Sequence, residues 1–408
     1  MRYKILIIFL LIFFALSKIS FSYEAPTITV EPISFSKIVI RIPNFEGDKE
    51  LSDKLTPLLR KLLNYHLFIL ALKNPPLPNY PSKEYYLKGI IEKRNHELFI
   101  KAELWNTFEN KILKIYKITG SLNYPQALIY VLCDKLVESI SNYKGIAFSK
   151  IAFVKRTSQG DKLYIIDFSK ENPRLLKKAP LILFPKFSKK GDKLAYLVYE
   201  KNKYFLEIYN LKTLTTEKFF INGLCSTPVW FPNGKELVLT VEEKQNMALY
   251  RFNLKTKKLT SLIKKPGILQ AGSISPGGTF LAYVYGKRAG KPQIYFLDLE
   301  TLKTYRIPQK RGYNTSPRFS PKGEYLLFLS KSGGVSSINL YNLITKEQKQ
   351  IKFLGNLEDP AFSPTGDYII AYGESIKGKG LYLIHLDSYL SYLYLPGSNF
   401  IFPDWTKL

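Results

Sequence analysis

The segment Pro185-Lys-Phe-Ser-Lys-Lys-Gly191 has four further copies along the chain, in which Pro, Ser and Gly mostly keep their places. These copies are Pro228-Val-Trp-Phe-Pro-Asn-Gly234, Gly272-Ser-Ile-Ser-Pro-Gly-Gly278, Pro317-Arg-Phe-Ser-Pro-Lys-Gly323 and Pro360-Ala-Phe-Ser-Pro-Thr-Gly366. Successive copies end 43 to 45 residues apart. A fixed period of this length is typical of repeat architectures, so the second half of the chain is predicted to repeat one structural unit.

Each unit is predicted to contain four strands separated by turns. A run rich in β-branched and aromatic residues follows each glycine, as in residues 193–199 and 325–329. A later turn of the Asx type is marked by Asn210, Asn253, Asp298 and Asn342. Four strands per roughly 43 residues is typical of a propeller blade. A solenoid of β-rungs is the alternative, although its repeats are usually shorter.

The two ends of the repeat region complement one another. Strand candidates at residues 150–154, 162–168 and 174–177 lack the Pro-x-Phe/Trp strand that should precede them. The stretch Asn399-Phe-Ile-Phe-Pro403-Asp-Trp405-Thr matches this missing strand, and the other three strands of a blade do not follow it. We therefore predict an all-β six-bladed propeller over residues 146–408, closed by the C-terminal strand, which leaves no free sheet edge at the junction.

A smaller α/β domain is predicted over residues 23–143. Strands are expected at 36–42, 67–70, 85–92, 97–105 and 111–118, with a loop at 43–47 and a Pro-rich connector at 75–81. Apolar residues at helical spacing predict helices over 51–64 and 124–140, and Pro57 is expected near a first helical turn. Burial is expected for Cys133, although an exported protein also permits a disulfide with Cys225.

The first 22 residues have the features of a signal peptide. Arg2 and Lys4 precede an apolar run over 5–16, and these twelve residues are too few to span a bilayer core of about 30 Å. Small side chains at Ser20 and Ser22 predict cleavage after Ser22. An uncleaved N-terminal anchor is the alternative interpretation. We therefore expect an exported protein.

The charge and the chemistry-bearing residues exclude several classes of function. The chain has 60 basic and 33 acidic residues and a net charge of +27, but only eleven of the basic residues are arginines and the lysines are scattered. Because phosphate recognition favours clustered arginine forks, this charge indicates a solvated surface more than a nucleic-acid site. The three histidines are far apart, and there is no Gly-x-Ser-x-Gly motif, so neither a zinc site nor a catalytic triad is predicted.

Three stretches outside the repeat motif carry a resemblance to a known family. They are Val39-Ile-Arg-Ile-Pro-Asn-Phe45, Leu87-Lys-Gly-Ile-Ile91 and the junction Gly145-Ile-Ala-Phe-Ser-Lys-Ile-Ala-Phe-Val154. With the order of signal peptide, α/β domain and propeller, they resemble the TolB family, the exported component of the Tol-Pal envelope system. One difference is that the family's Ser-Pro-Asp-Gly turn lacks its Asp in all five intact copies.

The resemblance implies two regions that bind partner proteins. In TolB proteins the loops entering the innermost strands dock the peptidoglycan-associated lipoprotein Pal. The corresponding residues are Leu224, Thr227, Gln270, Asn314, Thr315, Glu358 and Asp359. The mature N-terminal segment engages the inner-membrane protein TolA in the family, and its residues here are Tyr23, Glu24, Ile28 and Val30. The alternation of Ile28 and Val30 favours a strand that could pair with a partner's sheet edge.

The function implied by the resemblance is that of a periplasmic scaffold with no enzymatic activity and no cofactor. It would link Pal at the outer membrane with TolA, and so support outer-membrane integrity and constriction during cell division. A monomer without stable membrane insertion is expected. The alternative from a different class is an exported propeller hydrolase or carbohydrate-binding module acting on cell-wall polymers.

Overall fold

The computed structural model describes residues 37–74, 84–287, 291–309 and 312–407. The predicted signal peptide, the extended N-terminal segment and the Pro-rich connector lie outside these residues. The described chain forms an N-terminal α/β part followed by six four-stranded sheets, which confirms the predicted fold class.

The N-terminal part contains one mixed sheet. Its strands are β1 (Ile38–Arg41), β2 (Glu46–Gly47), β3 (Ile69–Leu72), β4 (Glu84–Arg94), β5 (Glu97–Asn106) and β6 (Lys111–Ser121). The order is β3-β1-β4-β5-β6, with β2 paired to β4, so part of the predicted loop at 43–47 is a short strand. Strand β3 begins two residues later than predicted, because Leu67 adopts a left-handed conformation with φ of 56° that delays the extended backbone.

Two helices, α1 (Lys49–Asn64) and α2 (Gln126–Ile140), belong to this part of the chain. Helix α1 begins where the Asp48 carboxylate accepts a hydrogen bond from the Leu51 N–H at 3.0 Å. The prediction that Pro57 lies near a first turn is wrong, because it is the ninth residue of a continuous helix. Pro57 is exposed, so water can solvate the carbonyl that loses its partner, and the buried leucines of the opposite face hold the helix in place.

Five blades are each built from four consecutive antiparallel strands. Blades II and III consist of β10 (Leu181–Phe187), β11 (Lys193–Glu200), β12 (Lys203–Asn210), β13 (Thr216–Ile221), β14 (Cys225–Trp230), β15 (Glu236–Glu243), β16 (Asn246–Asn253) and β17 (Leu259–Pro266). Blades IV to VI consist of β18 (Ile268–Ile274), β19 (Phe280–Gly286), β20 (Gln293–Asp298), β21 (Thr304–Arg306), β22 (Tyr313–Phe319), β23 (Tyr325–Ser332), β24 (Val335–Asn342), β25 (Gln348–Gln350), β26 (Gly355–Phe362), β27 (Tyr368–Ser375), β28 (Gly378–His385) and β29 (Ser391–Pro396).

Blade I closes the ring with strands from both ends of the repeat region. Strand β30 (Phe400–Lys407) pairs antiparallel with β7 (Ser149–Thr157), which is followed by β8 (Gly160–Asp167) and β9 (Arg174–Ala179). The Trp405 indole stacks on Phe168 with ring centroids 5.5 Å apart and donates a hydrogen bond to Ser149 Oγ at 2.8 Å. The predicted closure by the C-terminal strand is confirmed.

The local turn chemistry is the same in successive blades. Asn253 Oδ1 accepts hydrogen bonds from the backbone N–H groups of Lys255 and Thr256, both at 3.0 Å, as an Asx turn requires. Asn210, Asp298 and Asn342 make the equivalent pair of bonds. These contacts join residues two or three positions apart, which explains why the repeat is visible in the sequence.

The two parts of the chain share one hydrophobic core. The buried His66 ring lies at this junction, where Nδ1 contacts the Leu62 carbonyl at 2.9 Å and Nε2 accepts from the Ile146 N–H at 3.3 Å. The Tyr368 hydroxyl of β27 donates to the His66 carbonyl at 2.9 Å. One donor and one acceptor on the ring fit a neutral imidazole, and burial lowers the pKa of His66 to about 4.

Both cysteines are buried free thiols, Cys133 in α2 and Cys225 in β14. They lie in different parts of the molecule and form no disulfide, which agrees with the expected burial of Cys133. Burial raises the pKa of both thiols, to about 12 for Cys225. They act as small apolar side chains in their cores.

Candidate partner-binding site

The innermost strand of every blade contains a β-bulge at the same place. In five blades the bulge carries a residue other than glycine with φ between 41° and 56°: Phe184, Thr227, Ser316, Asp359 and Phe402. Each of them directly precedes the proline that opens the repeat motif or its C-terminal counterpart. Bulges re-aim side chains, so the irregular residue of each blade is brought to the propeller channel.

One end of the channel, the loop mouth, is defined by Phe184, Thr227, Gln270, Asp359 and Phe402. These residues line a cavity of about 40 Å³. The Phe184 and Phe402 rings lie 4.3 Å apart, Gln270 Nε2 donates to Thr227 Oγ1 at 2.8 Å, and the Phe402 N–H donates to Asp359 Oδ2 at 3.1 Å. The loop mouth is therefore a small concavity in which polar groups from several blades lie beside two aromatic rings.

Three of the seven residues predicted for the Pal contact, Thr227, Gln270 and Asp359, meet at the loop mouth. Glu358 is the neighbour of Asp359, and its carboxylate accepts from Lys331 Nζ at 3.1 Å. Asn314 is 2% exposed and accepts a bond from Ser330 Oγ, so most of its surface packs inside the blade. The remaining two are half-buried: Thr315 lies at the bulge of β22, whereas Leu224 directly precedes β14.

The four residues predicted for the TolA contact, Tyr23, Glu24, Ile28 and Val30, lie outside the described residues. Their role stays a prediction.

A charged cluster that the sequence did not reveal forms the partition below the loop mouth. Asp404 Oδ1 accepts from Arg318 Nη1 at 2.9 Å and lies 3.4 Å from Lys186 Nζ, while Oδ2 accepts from the Phe187 N–H at 2.8 Å. Asp359 faces the same two cations from the loop side, and burial raises its pKa. Lys186, Arg318 and Asp404 each follow the proline of their motif, so their shared register position was the signal available in the sequence.

The loop mouth lies at the opposite end of the innermost strands from the N-terminal part. Contacts with that part come from the turn ends of the blades, such as the Tyr143 hydroxyl to Asp387 at 2.8 Å and Lys407 Nζ to Asp134 at 3.4 Å. Among the described residues, these contacts of the N-terminal part therefore lie away from the loop mouth.

The described residues contain neither a metal-binding cluster nor a helix of membrane-spanning length. No set of three or more histidine, cysteine, aspartate or glutamate side chains is arranged to hold a metal ion. No helix in this part of the chain is long and apolar enough to cross a membrane.

An α/β domain joined to a six-bladed propeller, with polar side chains of several blades gathered at one end of the channel, defines a six-bladed propeller protein. A family model described as the TolB beta propeller domain matches residues 137–408. The chain belongs to the TolB propeller family.

Individual relatives agree with the family. The Tol-Pal system protein TolB of Ruthia magnifica subsp. Calyptogena magnifica is 30% identical over 183 residues, 43% of either chain. That of Desulfotalea psychrophila is 25% identical over 236 residues, 53% of either chain. The chain thus matches about half the length of these curated relatives. The crystal structure of TolB from Acinetobacter baumannii shares the fold with a TM-score of 0.80 at 20% identity, covering 90% of this chain and 96% of that one.

Proposed function

We propose that this protein is a non-enzymatic periplasmic scaffold of the Tol-Pal system that binds the lipoprotein Pal through the loop mouth and TolA through its N-terminal segment. In this role it supports outer-membrane integrity and constriction during cell division. The observation that carries the proposal is the match of the TolB propeller family to residues 137–408. The domains assigned to this role are residues 23–143 and 146–408, after a signal peptide over 1–22.

The loop mouth suits a folded partner better than a small substrate. Its cavity of about 40 Å³ is far below the several hundred Å³ typical of ligand pockets. Gln270 and Thr227 come from neighbouring blades and are already hydrogen-bonded to each other, so the polar surface is preorganised. Glu358 adds an acidic group whose side chain is 45% exposed.

The Pal contact is tested by titration calorimetry with purified Pal. Gln270→Arg places a long charged side chain at the centre of the loop mouth, and we expect at least a tenfold loss of affinity. Ile344→Arg is the matched control, because Ile344 is 77% exposed in the Asx turn of blade V and the substitution adds the same charge. Equal affinity of both variants and the unaltered protein would place Pal elsewhere.

The TolA contact is tested by deletion of residues 23–32 from the mature protein. We expect TolA binding to be lost while the melting temperature stays within a few degrees, since these residues precede every described strand. Unchanged TolA affinity would reject this part of the proposal. Turnover of peptidoglycan fragments by the purified protein would instead favour the hydrolase alternative.

A further inference from the structure

The channel widens on the far side of the charged partition into a cavity of about 510 Å³, the vestibule, which opens at the Pro-Gly turns. Its rim is formed by the residues that lie three positions after Lys186 and its counterparts in the other blades. These are Lys189, Pro232, Pro276, Pro321, Pro364 and Lys407. Two neighbouring blades therefore carry lysine where the other four carry proline.

Positive charge exceeds negative charge along the vestibule wall. Its lining contains four basic residues and one acidic residue: Lys186, Lys189, Arg318, Lys407 and Asp404. The single carboxylate is shared by Arg318 and Lys186. Asp359 balances part of this charge from the loop side of the partition, but it does not line the vestibule.

The two rim lysines differ in their partners. Lys189 Nζ reaches across the rim to the Pro276 carbonyl at 3.2 Å, an uncharged acceptor, and Lys407 Nζ lies 3.4 Å from Asp134. At the partition, burial and the positive charge of Arg318 lower the pKa of Lys186 to about 8. Counting Asp359 and Asp134, three carboxylates face the four cations, so a smaller excess of positive charge remains, and Lys189 is the lining lysine with an uncharged partner.

The rest of the wall is largely apolar. Trp230, Trp405, Phe187, Phe319 and Phe362 also belong to the lining, although their rings pack mainly in the hydrophobic cores. A volume of about 510 Å³ lies within the range of small-molecule sites. The partition and the rim are three residues apart along one strand and its turn, at most about 10 Å.

We propose that the vestibule is a binding site for a small, elongated dicarboxylate, with one carboxylate at Arg318 and Lys186 and the other at the rim lysines. The guanidinium of Arg318 offers a planar pair of donors to the first group. Lys189 exchanges its carbonyl partner for the second group, and the methylene body lies against the apolar part of the lining between the two ends. The site is separate from the loop mouth and does not depend on the Pal contact.

The test uses suberate, a linear eight-carbon dicarboxylate, added to the mature protein at pH 7 and constant ionic strength. Two of the three tryptophans line the vestibule, so intrinsic fluorescence reports directly on the site. We expect a saturable change in emission, and at least fivefold weaker binding of octanoate, which has one carboxylate on a chain of the same length.

Lys189→Pro introduces the proline that four other blades carry at this position, so the turn should be retained. We expect this variant to bind suberate about fivefold more weakly. Lys255→Ala is the matched control, because it removes one exposed lysine from an outer turn and should leave suberate affinity unchanged. An emission change that does not saturate, or an equal loss in both variants, would show diffuse attraction to a basic chain and overturn the proposal.

Discussion

Replacing Trp405 by alanine should loosen the strand that closes the propeller. Trp405 is 7% exposed, and only noncovalent contacts hold it beside Ser149, 256 residues earlier in the chain. Truncation of a buried tryptophan to alanine typically costs 3 to 5 kcal/mol, and the Ser149 hydroxyl also loses its donor, so we expect a loss of about 4 kcal/mol in the free energy of unfolding. This loss is a large part of the free energy of unfolding, which is roughly 5 to 15 kcal/mol for a typical protein.

Trp230 provides a matched control for this substitution. It holds the equivalent position in β14, is 8% exposed, and its indole donates to the Lys186 carbonyl at 2.8 Å. We expect Trp230→Ala to cost a similar free energy, but its strand is joined to the next strand of the same blade by a short turn. Faster exchange of the β30 amides is therefore expected only in Trp405→Ala.

The assay combines guanidinium unfolding with hydrogen exchange followed by mass spectrometry of peptides covering residues 400–407. The expected result is comparable destabilisation of the two variants, with β30 deprotected in Trp405→Ala alone. Equal protection of β30 in both variants would refute the idea that this side chain fastens the ring. A loss of less than about 1 kcal/mol for Trp405→Ala would refute the packing estimate.

Two further predictions concern pH and a turn glycine. Burial lowers the pKa of His66 and of His385 from 6.5 to about 4. Their contribution to the free energy of unfolding is therefore complete above pH 6.5 and is lost as the pH falls toward 4, because the unfolded chain takes up the protons first. We expect about 2 kcal/mol lost per histidine at pH 5, and a flat unfolding midpoint between pH 7 and 5 would contradict this. Gly191→Ala should cost about 1 to 3 kcal/mol more than Gly234→Ala in thermal unfolding. Both glycines have positive φ, so that cost is common to both, but only Gly191 would place a Cβ 2.5 Å from the Lys407 carbonyl oxygen. Equal melting temperatures would argue against this steric reason.

The propeller was predictable because its determinants are local and repeated. Asn or Asp opens the same turn in four blades, and each blade needs neighbours to bury its sheet, so one period fixes the number and order of strands. The closure of the ring by the C-terminal strand was predictable because the first-strand motif recurs at Pro403 without the other strands of a blade.

The errors in the N-terminal part concern features that local rules do not decide. Pro57 lies deep inside α1, where tertiary burial of the leucine face outweighs one lost hydrogen bond. The short pairing of Glu46 and Gly47 with β4 depends on strands far apart in the sequence. Neither feature is indicated by the pattern of neighbouring residues that predicts a helix or a strand.

The same distinction applies to the sites. Consensus residues of the repeat build turns and blade cores, whereas the position directly after the motif's first residue varies between blades and lies at the channel. Three blades carry Lys186, Arg318 and Asp404 at that position. Because these residue types differ, an alignment of the repeats shows no common feature there. Only the closed ring shows that Asp404 lies between two cations separated from it by 86 and 218 residues. The departures from the repeat therefore identify the candidate sites, while its regularities identify the fold.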